Sequence, residues 1–238
     1  AGEASTVKPL AHADAVIENF GDAIISAGFI DTHVHYPQTQ MITSYGEQLL
    51  QWLEKYTFIV EQQFADKAHA DRIAEFFLHE LLRNGTTTAA VYCTVHPQSV
   101  DAFFEQSQKL NTLMIAGKVL MDRNTPAPLL DTPETAYSQS KQLIERWHNN
   151  GRQRYCITPR FAGTSSPEQL GVASNLWREN PTTYLQTHLA ENRDEVKWMR
   201  QLFPASKNYL DIYASHTLLG PRSIYAHCIN IDENAFCK

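Results

Sequence analysis

In "FIDTHVHYPQ", residues 29–38, two histidines stand one residue apart at the end of an apolar run. A third, His188, lies in "QTHLAEN" with Glu191 three positions later. Residues two apart on a strand share a face, so His33 and His35 can turn both imidazoles toward one ion while Thr32 and Val34 face away. An isolated His-x-His pair is equally well explained by local hydrogen bonds at a strand end. His188 and Glu191 shift the balance toward a metal site. Three neutral imidazoles suit zinc, with ferrous iron the alternative, and an unligated carboxylate beside the ion can shuttle protons for a metal-activated water.

Such a site needs elements that bring distant residues together. Short apolar runs at 28–35, 87–93, 113–120, 155–158, 184–188 and 223–227 read as strands, separated by stretches with helical periodicity. "KAHADRIAEFFLHELLRNG" places Ile73, Phe76, Phe77, Leu81 and Leu82 on one helical face and stops at Asn84-Gly85. "TPETAYSQSKQLIERWHNNG" and "SSPEQLGVASNLWRENP" each open with a hydroxyl residue before proline, an N-cap followed by the first helical position. Alternating strands and helices predict a parallel α/β fold, either a β/α barrel or a doubly wound sheet. His33, His35, Arg160, His188 and His227 all fall at or just beyond the C-terminal ends of predicted strands. Reactive side chains gathered from several strand ends favour the (β/α)8 barrel, and neither GxGxxG nor a Walker loop is present to favour the alternative. Six strands are predicted where such a barrel needs eight.

Composition narrows the partners. The 238 residues, 43% hydrophobic and 19% charged, are enough for one sizeable core, and the formal charge of −6 with no basic run points away from nucleic acid and anionic membranes. A small molecule is the expected ligand. Cys93, Cys156, Cys228 and Cys237 form no CxxC pair and read as reduced thiols of a cytoplasmic protein. No apolar stretch reaches the ~18 residues of a membrane span, and the N-terminal residues lack the features of a signal peptide. Without an initiator methionine, the chain is expected to begin inside a longer protein.

Taken in order, "GFIDTHVH", "THLAEN" and "YAHC" resemble the amidohydrolase superfamily in its deaminase branch, and "HVHYPQ", "ITPRF" and "THLAENRDEV" are similar to the guanine deaminases within it. The resemblance runs over residues 24–231. It implies a TIM-type barrel of which residues 28–238 hold the first six β/α units, with residues 1–27 a remnant of a small β-sandwich domain and lead-in. It implies His33, His35 and His188 as metal ligands and Glu191 as general acid and base. His227 would contact the bound water and substrate, while Gln38, Arg160 and Phe161 would form a purine pocket that His188 and Glu191 also face. The implied reaction is hydrolytic deamination of guanine to xanthine and ammonia by a metal-bound hydroxide, with no organic cofactor. The resemblance also allows a homodimer. Chemically, Arg160 can only donate hydrogen bonds and so favours a purine carbonyl over an exocyclic amine, Gln38 can donate and accept, and Phe161 offers a ring to a flat heterocycle. Two alternatives stand beside this reading. One is an amidohydrolase for 8-oxoguanine, a pterin, cytosine or a triazine; the other is a metal- or purine-binding chain without turnover.

Other residues invite chemistry and are set aside. "HELLR", at His79 and Glu80, begins like a zinc-protease helix but has Arg83 where the second histidine belongs. His12, His69, His96, His148 and His216 lack a partner pattern and are expected at surface or capping positions. Trp52, Trp147, Trp177 and Trp198 sit in helical patterns and are expected to pack the outer layer. Two departures from the family stand out. Ala27 replaces the usual proline before "GFIDTH", and the aspartate that ends the family's eighth strand is not found. Asp232 and Glu233 read as the start of a helix rather than a substitute, so that ligand and two further strands are expected beyond Lys238.

Overall fold

In the computed structural model, which describes residues 2–237, strand and helix alternate from Phe29 onward. The strands are β1 (Phe29–His35), β2 (Thr86–Tyr92), β3 (Leu113–Gly117), β4 (Val119–Leu120), β5 (Arg154–Pro159), β6 (Tyr184–Leu189) and β7 (Ser223–His227). All pairings are parallel, in the order β1-β2-β3-β5-β6-β7, with β4 beside β5. β1 and β7 are the sheet edges, yet the sheet curls until the His33 ring on β1 is 4.8 Å from the His227 ring on β7. This is a partial (β/α)8 barrel. Ala1 and Lys238, at the outer limits of the two expected domain ranges, lie outside the described residues. Between residues 2 and 28 the chain is exposed and holds two short helical turns, Ala4–Val7 and Lys8–Leu10, and no strand.

The principal helices are α1 (Lys67–Arg83), α2 (Pro97–Lys109), α3 (Pro133–Trp147), α4 (Pro167–Glu179), α5 (Arg193–Leu202) and α6 (Tyr209–Ser215). Their ends follow local chemistry. Thr132 and Thr135 form a capping box before α3, the Ser166 hydroxyl accepts from Gln169 N to cap α4, and Gly85 takes φ +82° just past α1. α1 differs from expectation at one residue. Its buried stripe is Ala70, Ala74, Phe77 and Leu78, and Phe76, one position off that stripe and so rotated ~100° from Phe77, is 55% exposed.

The expected strand at 113–120 is broken at Lys118, dividing β3 from β4. At Gly117 a Cβ would stand 1.8 Å from the Cys156 carbonyl oxygen, so the two backbones meet where only glycine fits. The adjoining Lys118 is fully buried and ion-paired with Asp131.

Between β1 and α1 the chain makes a long helical excursion over the C-terminal ends of the strands. A 3₁₀ segment (Tyr36–Met41) leads to a continuous run of α-helix (Leu49–Trp52), π-helix (Leu53–Thr57), α-helix (Phe58–Glu61) and 3₁₀ helix (Gln62–Ala65). Tyr36 anchors its start. Its ring packs on Phe64 and Phe103, with centroids at 5.1 and 5.2 Å, and its hydroxyl donates to the Ser99 carbonyl at 2.6 Å.

Candidate active site

Four histidine rings meet where the strands end. His33 lies 5.0 Å from His35, 4.8 Å from His188 and 4.8 Å from His227, centroid to centroid. The bulge in β1 between Asp31 and Val34 leaves His33 and His35 facing the same cavity, while Val34 turns toward the core. Tyr92, at the end of β2, forms a platform beneath them: the His35 ring stacks on it at 4.4 Å and His33 meets it edge-on at 5.1 Å. His227 has φ +77° and Cys228 φ +54°, a left-handed turn that ends β7.

The electrostatics favour neutral imidazoles. Burial, aided by the neighbouring His227, lowers His33 to about 4. Burial likewise holds His35 and His188 well below the ordinary histidine range, reinforced by the adjacent histidines and Arg160, and also lowers His227. The His188 Nδ1–H donates to the Arg160 carbonyl at 2.7 Å, which leaves its Nε2 lone pair free. That Nε2 is 3.2 Å from His35 Nε2, and the buried Nδ1 atoms of His33 and His35 have no protein partner. Clustered lone pairs of this kind are the donor set a dication of the zinc class requires. The ligand atoms of His33, His188 and His227 all fall within 4.8 Å of one another, and His35 joins the cluster through His188.

Glu191 follows β6 on a loop held from both sides. Its backbone N–H donates to Glu195 Oε2 at 2.9 Å, and Asn230 Nδ2 donates to its carbonyl at 3.1 Å. Its carboxylate stands 3.5 Å from His227 Nε2, and burial raises its pKa against the pull of Arg160.

These groups face a cavity of about 250 Å³. Gln38, Arg160 and Phe161 line it with the four histidines and Glu191, so every residue singled out from the sequence reaches one space. Leu49, Trp52, Leu53 and Glu195 complete the wall. Trp52 is therefore no outer-layer residue. It sits in the helical excursion that folds back over the strand ends, where its Nε1–H donates to the Ser44 carbonyl at 3.1 Å. Trp147 and Trp177 do pack outside, bonded to Asp101 and the Thr183 carbonyl, whereas Trp198 backs Phe161 at 6.1 Å. Asp232 caps the short helix Glu233–Phe236 through Ala235 N, away from the cavity.

Residues 24–235 match the Amidohydrolase family. The chain belongs to that family. Among amidohydrolase relatives, the guanine deaminase of Escherichia coli K12 is 54% identical over 217 residues, which is 91% of this chain and 49% of that protein. The solved structure of E. coli guanine deaminase superposes with a TM-score of 0.95 at 51% identity, covering 98% of this chain and 54% of the other. Guanine deaminase from C. acetobutylicum, solved with guanine bound in its active site, gives a TM-score of 0.91 at 28% identity and covers 98% of this chain and 55% of its own. The chain thus spans about half the length of these amidohydrolase relatives.

Proposed function

We propose that the protein carrying this chain hydrolyses guanine to xanthine and ammonia, a cytoplasmic step of purine breakdown, and that this chain supplies most of the residues that perform it. The observation that carries the reading is the convergence, on one 250 Å³ cavity, of four neutral histidines, a half-buried glutamate and the Gln38, Arg160 and Phe161 set. His33, His35 and His188 hold the metal in this reading, and residues 28–238 are the barrel portion, with 1–27 leading in from a smaller domain. A zinc or ferrous ion held by these residues would supply a nucleophile by lowering the pKa of water toward neutrality.

The protein's own groups do the rest. Glu191 takes a proton from the attacking water and passes it to a ring nitrogen. It then carries the second proton, from the hydroxyl now on C2, to the departing amine, so that C2 keeps the oxygen as a carbonyl and loses its C–N bond as ammonia. His227, beside Glu191, donates to the oxygen that builds up charge at C2. Arg160 donates to the purine carbonyl, and Phe161, backed by Trp198, packs against the ring system.

Turnover of guanine, adenine and cytosine by the complete protein, followed in the ultraviolet with metal analysis, tests the reading. Guanine should be far the fastest; equal turnover of adenine would overturn it. Metal content after His35→Ala and after His227→Ala separates the two ligand sets. Loss of metal in the first and retention in the second is the expected pattern, and the reverse would make His227 the ligand.

A further inference from the structure

Glu61 lies 99 residues before Arg160 in sequence and belongs to the helical excursion rather than to any strand end. It is completely buried, and both of its oxygens accept from Arg160 Nη1, at 2.7 and 2.6 Å. Phe58, one turn earlier on the same helix, places its ring 5.7 Å from the guanidinium carbon. The π-helical turn Leu53–Thr57 immediately precedes them and changes the register, so that Leu53 faces the cavity while Phe58 and Glu61 face Arg160. Gln38, on the 3₁₀ segment that opens the excursion, lines the same cavity as Arg160.

We infer that Glu61 is the positioning residue of the substrate pocket, fixing the orientation in which Arg160 meets the purine; the inference rests on the guanine reading above. Arg160 spends Nη1 on Glu61. Among the described residues its Nη2 and Nε donate to no protein acceptor. Arg160 therefore offers donors alone to the cavity, the complement of a purine carbonyl. A 6-aminopurine presents an NH₂ donor there and leaves the arginine unmatched. The same carboxylate supplies a buried counter-charge to a guanidinium that shares its cavity with the histidine cluster, limiting its repulsion of a dication.

Glu61→Gln and Glu61→Asp in the complete protein, with guanine and 2,6-diaminopurine as substrates, test this. Glu61→Gln keeps the shape but can present a donor, so KM for guanine should rise about tenfold or more while kcat changes by only a few fold. Preference for guanine over 2,6-diaminopurine should fall about tenfold as Arg160 loses its fixed orientation. Glu61→Asp retains the charge and should recover part of both losses. Metal content and melting temperature should stay near those of the parent in at least the aspartate variant. Parental KM and preference in both variants would overturn the inference while leaving the guanine reading intact. Loss of fold or metal in both would make Glu61 a structural residue and overturn it as well. Failure of the parent protein to turn over guanine would instead sink the reading on which the inference rests.

Discussion

The strand ends and the helical excursion between β1 and α1 build opposite walls of the same cavity by different means. The strand ends supply His33, His35, His188 and His227, each set by the register of a parallel sheet, with Glu191 on a loop tied to Glu195 and Asn230. The excursion supplies Gln38 from its opening 3₁₀ segment and Leu49, Trp52 and Leu53 from a run that changes helix type three times between Leu49 and Ala65, with Glu61 behind them on Arg160. In the proposed reading the groups that move protons or hold an ion thus stand at strand ends and on the loop after β6, while the excursion shapes the pocket together with Arg160 and Phe161 just past β5. Substitutions on the first wall should strike kcat or metal content, and those on the second should strike KM and substrate choice.

The largest effects are expected at the strand ends. His188→Ala should remove metal and activity together. Glu191→Gln should keep the metal, by elemental analysis, while kcat falls on the order of 10²–10⁴. Metal loss from Glu191→Gln would make the glutamate a ligand and blur the division between proton transfer and ion binding. A smaller effect is expected at Trp52. Trp52→Ala removes an aromatic wall and should raise KM for guanine about three- to tenfold with kcat nearly unchanged. A larger fall in kcat than in affinity would mean that the excursion takes part in the chemistry.

The smallest effect concerns pH. The folded protein holds His33 at about 4, below the ~6.5 of an unfolded histidine, and burial lowers His35, His188 and His227 as well. Between those values the unfolded chain binds more protons than the folded one. Stability should therefore fall as pH drops from about 6.5 toward 4 and be flat, for these groups, above 6.5. In chelator, the melting temperature should drop on the order of 5 °C from pH 6.5 to pH 5, and the slope should shrink in His33→Asn. An unchanged slope would mean that the cluster is solvated rather than buried.

Much of the strand-end wall was legible in the sequence because its signals are local. A period of two places His33 and His35 on one face, and apolar runs closed by His188 and His227 mark where strands stop. The excursion hid its contribution. Trp52 sits in a helical pattern that reads as packing, and the π turn after it shifts the helical period, so nothing local marks Glu61 as a buried partner. Their partners, Ser44 and Arg160, follow from no fixed spacing. Tyr92 and Glu195 were missed for another reason: a tyrosine ending a strand and a glutamate in a capping box are ordinary until the rings of His33 and His35 and the backbone of Glu191 are seen against them. The break at Lys118 was equally invisible, since it depends on how closely Cys156 approaches Gly117.

Arg160 has two duties carried by different atoms. Its side chain reaches the pocket, while its backbone carbonyl accepts from both the amide and the Nδ1–H of His188, at 3.0 and 2.7 Å. Any amino acid at this position keeps that carbonyl. Directed evolution could therefore randomise residue 160, with Gln38 and Glu61 beside it, to retune ligand preference while the tautomer of His188 is preserved. A one-residue insertion or deletion next to position 160 would do the opposite, displacing the carbonyl and disabling the imidazole even if the arginine itself survived.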